Sequence, residues 1–146
     1  MIVKGKLSKS RLQAIGYFAD KLLTKQLSRF IIVNVVFRNK MDHLGLTLVE
    51  DYNLMGKPRE FTLEIYRKQS EEELLKTLAH ELVHVRQYAV GDLNEEATLW
   101  QGRSMARDLD YHDQPWEIEA NDVSEILYEE YVNDNRPRIG SSKSRY

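Results

Sequence analysis

The stretch that most restricts the fold is SEEELLKTLAHELVHVRQYAVG, residues 70–91. It carries its own start and stop signals. Ser70 and Glu73 form a capping box, in which each side chain takes up a backbone N–H left unpaired at a helix start. Glu71, Glu72 and Glu73 sit at the positive end of the helix dipole. Gly91 is a natural terminator, because glycine reaches the left-handed conformation without a Cβ penalty. The pattern predicts a helix over residues 71–89, with Leu75, Leu78, Leu82 and Ala89 marking its buried stripe.

The flanking segments predict strands and two further helices. Leu12, Ile15, Phe18, Ala19, Leu22 and Leu23 have helical spacing within 8–27, and Ser8 or Ser10 can cap that helix. FIIVNVVF (30–37) is short, β-branched and nearly continuous, as a buried strand would be. DHLG (42–45) reads as a turn and LTLVED (46–51) as a second strand. NLMGKPRE (53–60) reads as a loop. In FTLEIYR (61–67), Phe61, Leu63 and Ile65 alternate with Thr62, Glu64 and Tyr66, which predicts a half-exposed edge strand. Residues 92–114 are mixed, with a short extended piece at 99–105. Pro115 fits the first turn of a last helix over 115–132, whose stripe is Trp116, Ala120, Val123 and Leu127. Residues 133–146 are polar and read as a disordered tail, leaving one domain over 1–132.

Within the central helix stand His80 and His84. Four residues apart, they lie ~6 Å along the axis and on one face, so both imidazoles can aim at one point. The 146-residue chain contains no cysteine, so a metal here must be held by His, Asp or Glu. Neutral imidazoles suit Zn²⁺. Glu81, one residue round from His80, can reach a metal-bound water without ligating the metal. A carboxylate so placed can take that water's proton and return it, which is the logic of the H-E-x-x-H pattern. A catalytic site needs a third protein ligand and an open position. The downstream candidates are His112, Asp113, Glu117, Glu119 and Asp122, in YHDQPWEIEAND (111–122).

HELVH followed by EIEAN resembles the zinc metallopeptidases called gluzincins. Their shorter members include ImmA/IrrE-type and other small bacterial and phage peptidases. The likeness spans roughly residues 61–132. It implies a small α+β zincin-like fold with an N-terminal helix, a small twisted sheet of three or slightly more strands (mixed or mainly antiparallel), an active-site helix and a C-terminal glutamate helix. It also implies peptide-bond hydrolysis at one zinc ion held by His80, His84 and Glu117, with Glu81 as general base. Asn121 falls where the thermolysin-like branch carries an aspartate that hydrogen-bonds a zinc-bound histidine. Here the residue is neutral. On a helix, Glu117 and Asn121 share a face and Glu119 points ~200° away from Glu117. The chain lacks the extended motif of the large aminopeptidases and the third histidine of the metzincins. SprT-like peptidases use a histidine as third ligand, which keeps His112 in view.

Tyr111 and His112 precede the last helix and are candidate donors to a developing oxyanion, the alternative being an exposed loop pair. Trp100 and Trp116 read as packing anchors, Tyr88 as a wall of the site or a packing residue, and His43 as surface. The edge-like strand 61–67 is a candidate for pairing with an extended peptide. The net charge of −2 gives no overall pull toward nucleic acid or membrane. Arg136, Arg138, Lys143 and Arg145 form a weak basic cluster, a solvated terminus or a nucleic-acid contact. With no apolar leader or span, the chain reads as cytoplasmic, and the resemblance implies a protein or peptide substrate. The competing readings are a non-catalytic zincin-fold binding protein and a metal hydrolase with a non-peptide substrate.

Overall fold

The computed structural model describes residues 1–52 and 56–135. The elements run β1 (Ile2–Lys4), α1 (Lys9–Leu22), α2 (Lys25–Ser28), β2 (Ile32–Arg38), β3 (Gly45–Val49), β4 (Glu60–Tyr66), α3 (Glu71–Val90), β5 (Leu99–Trp100), β6 (Arg103–Ser104) and α4 (Pro115–Asn135). A 3₁₀ turn at Tyr111–Asp113 leads into α4. The class is α+β with a mixed sheet. No helix among the described residues is long and apolar enough to cross a membrane.

The expected first helix divides in two. Leu23 is extended, and Thr24 caps a separate short helix by accepting from the Leu27 N–H. The sheet has four strands, in the order β1-β2-β4-β3. β1 and β4 flank β2 in parallel, and β3 runs antiparallel to β4. β4 is therefore central, not the edge expected of it. Its alternating pattern arises because helices cover one face only. Phe61, Leu63 and Ile65 are buried beneath them, while Thr62, Glu64 and Tyr66 lie on the uncovered face. Alternation reports how many faces are covered, not how many neighbours a strand has. The same uncovered face explains β2, where Val33 and Val35 are buried but Ile32, Asn34 and Val36 are not.

The helical layer is built around α3, which packs on β3 and β4 and against α1 and α4. Both halves of the capping box form, and Gly91 closes the helix at φ 85°. Phe18 and Tyr131 meet edge to face across the α1–α4 contact, and Arg11 of α1 bonds Glu71 of α3 through both carboxylate oxygens. α4 extends to Asn135, so the first three residues of the expected tail are helical. Residues 136–146, with their four basic side chains, and residues 53–55 of the expected loop lie outside the described residues.

Candidate metal centre

α3 and α4 form the site together. The Nε2 atoms of His80 and His84 stand 3.2 Å apart. Glu117 Oε1, from the first turn of α4, lies 3.0 Å from the first and 3.2 Å from the second. All three ligand atoms fall within 4.8 Å of one another, close enough to hold one metal ion. Tetrahedral coordination at ~2.0–2.1 Å places neighbouring ligand atoms ~3.3 Å apart, so the observed spacing fits a small tetrahedral cation with a fourth position left over.

The electrostatics point the same way. Burial alone would raise the Glu117 pKa, but hydrogen bonds and charge attraction from His80 and His84 outweigh it and hold the carboxyl well below the usual range. Burial would lower the His84 pKa. Its bond to Glu117 and the nearby charges of Glu81 and Glu117 outweigh that, and the net direction is up. Two nitrogen lone pairs and a carboxylate oxygen this close repel unless a cation, a proton or a metal, sits among them.

His112 lies outside this group. It is exposed, its ring meets that of Tyr111 edge-on, and it does not line the cleft. Tyr111 does line the cleft. Burial, then the Glu117 charge, raises its phenol pKa. Asn121 makes no side-chain bond to a ligand histidine among the described hydrogen bonds. That bond comes from a residue the sequence pattern did not single out. Gln87 Oε1 lies 2.7 Å from His84 Nδ1. Glu119, turned away from the cluster as helix geometry requires, accepts from the Gln87 amide.

Glu81 is almost fully buried. The Thr47 hydroxyl of β3 donates to its Oε1 at 2.7 Å. Gly45, two residues back on the same strand, comes so close that a Cβ there would lie 2.8 Å from Glu81 Oε2. Neither Gly45 nor Thr47 carries a sequence signal of this role, because the contact depends on where β3 crosses α3. Around these groups lies a cleft of about 1100 Å³, walled by Leu44 and the β3 residues Gly45–Thr47, by α3, and by Tyr111 with α4. Tyr88 closes part of it and stacks on Phe61 at 6.3 Å; burial, then the charges of Glu117 and Glu81, pushes its phenol up to about 12. Trp116 is buried with its ring 6.3 Å from that of Trp100, as packing anchors would be. His43 sits exposed on the cleft rim.

No protein-family model, curated protein or solved structure matches the chain. The chemistry of the site rests on its own geometry.

Proposed function

We propose that the chain is a zinc-dependent peptidase of the gluzincin kind, built on a zincin-like fold. The observation that carries this reading is the placement of a buried carboxylate, Glu81, beside a His80–His84–Glu117 ligand set at tetrahedral spacing. The absence of cysteine and the N, N, O donor set favour Zn²⁺ held by imidazole and carboxylate. Bound there, zinc supplies a water whose pKa is lowered to ~7 and polarises a carbonyl.

The chain's own groups do the rest. Glu81 takes up a proton and returns it to the leaving amine, with its Oε1 held by Thr47. Tyr111, lining the cleft together with Glu117, is placed to donate to the developing oxyanion. β3 is the terminal strand of the sheet and walls the cleft, so an extended peptide adds to β3 rather than to β4. Burial of Glu81 beside the ligand set favours catalysis over a structural metal, which has no use for a further carboxylate at that point.

Glu81→Gln tests the reading. Hydrolysis of a quenched fluorescent peptide library, chelator-sensitive in the parent protein, should fall by ~10²–10⁴-fold while the metal stays bound. Full activity in the purified variant would end this mechanism.

A further inference from the structure

Gln87 is fully buried on α3. An amide has one acceptor oxygen and two N–H donors, and burying it unbonded is costly. Here every capacity is used. Nε2 lies 3.0 Å from the Trp116 carbonyl oxygen and 2.9 Å from Glu119 Oε1, both on α4. Oε1 lies 2.7 Å from His84 Nδ1.

These partners fix the direction of the amide. Both atoms offered by α4 are acceptors, so the NH₂ end must face α4. The reverse orientation would set the amide oxygen against a carbonyl and a carboxylate. With the NH₂ end committed, Oε1 faces His84, and His84 Nδ1 must carry the proton. That leaves the Nε2 lone pair aimed at His80 and Glu117. In the other tautomer the Nε2–H would point into the cluster and obstruct a metal ion.

We propose that Gln87 is the positioning residue of the centre: it holds His84 in the Nδ1–H form and makes that form conditional on the seating of α4, the helix that brings Glu117. The proposal rests on the metal-site reading above. A ligand and its partner helix are set by one amide, so the metal-binding form of His84 and the third ligand arrive together.

The test begins with the unsubstituted protein loaded with Zn²⁺. Long-range ¹H–¹⁵N correlations should show His84 protonated at Nδ1 and metal-bound at Nε2; metal on Nδ1 overturns the proposal without any variant. Gln87→Met keeps the volume and removes every hydrogen bond. Its zinc affinity, from chelator competition on protein shown to be folded by circular dichroism, should fall about 10–100-fold. Gln87→Glu keeps an acceptor for His84 but loses the donors to α4 and faces Glu119. It too should bind zinc more weakly, and adding Glu119→Gln should recover part of the loss by restoring a donor between the helices. A purely structural role would lower the melting temperature while leaving affinity and the His84 proton unchanged, and that outcome overturns the proposal. Absence of stoichiometric zinc in the unsubstituted protein overturns the metal reading itself, and is seen before any substitution is made.

Discussion

Gly45→Ala probes how closely β3 is held against Glu81, the proposed general base. A Cβ on Gly45 would lie 2.7 Å from Thr77 Cγ2, 2.8 Å from Glu81 Oε2 and 3.0 Å from Glu81 Cγ. Comfortable carbon contacts begin near ~3.5 Å, so the strand or the two side chains must part by close to an ångström. Neither side yields easily. Gly45 is paired with Ile65 in the sheet, and both Thr77 and Glu81 are buried on α3. Overpacking of this kind costs ~1–3 kcal/mol. In a chain of about this size each kcal/mol lowers Tm by ~2–4 °C. The larger effect falls on turnover. Pushing the Glu81 carboxylate off position by ~1 Å costs on the order of 10²-fold in rate. The candidate ligands His80, His84 and Glu117 supply none of the three atoms nearest a Gly45 Cβ, so zinc content should be unchanged. The assays are thermal melts, metal analysis and peptide hydrolysis on one preparation. A variant with parental Tm and parental turnover would refute the close approach. Loss of zinc in step with activity would refute the claim that Gly45 acts on Glu81 rather than on the ligands.

Two further outcomes follow from the same coordinates. Gly16 lies inside α1, and a Cβ there meets nothing within 4 Å, so Gly16→Ala should stabilise the protein by ~0.5–1 kcal/mol in a denaturant melt. The metal-free protein should show a stability window in pH. The folded pKa of Glu117 is lowered from 4.5, so its contribution is present above that value and is lost as pH falls through the folded pKa. The folded pKa of His84 is raised from 6.5, so its contribution is complete below 6.5 and is lost as pH rises through the folded pKa. Metal-stripped protein melted across pH should therefore gain least from this cluster at the two extremes, and zinc binding should release protons near neutral pH.

The local parts of this site were legible because they obey short-range rules. The limits of α3 follow from Ser70, Glu73 and Gly91, and the shared direction of His80 and His84 follows from helical spacing. Pro115 marked the start of α4. The parts that depend on how elements meet were not legible. β4 alternates because one face is bare, and alternation cannot tell a central strand from an edge. β1 contributes three residues, too few for a period to show. Gln87 sits three residues after His84 on the buried side of α3, yet its role appears only once Trp116 and Glu119 are brought opposite it. Asn121 occupies a position from which a histidine partner was expected, but the His84 Nδ1 bond is already taken by Gln87. Gly45 and Thr47 became functional candidates only through the crossing of β3 over α3.

The central claim is that α3 and α4 together hold one catalytic metal through His80, His84 and Glu117. The most direct test is metal analysis of the protein purified without chelator and then saturated with Zn²⁺, beside Glu117→Ala treated identically. The account predicts about one zinc per chain in the unsubstituted protein and a large loss in the variant, since a third protein ligand is what distinguishes a metal site from a histidine pair. Zinc at a small fraction of an equivalent in the unsubstituted protein, or a full equivalent retained in Glu117→Ala, would contradict it.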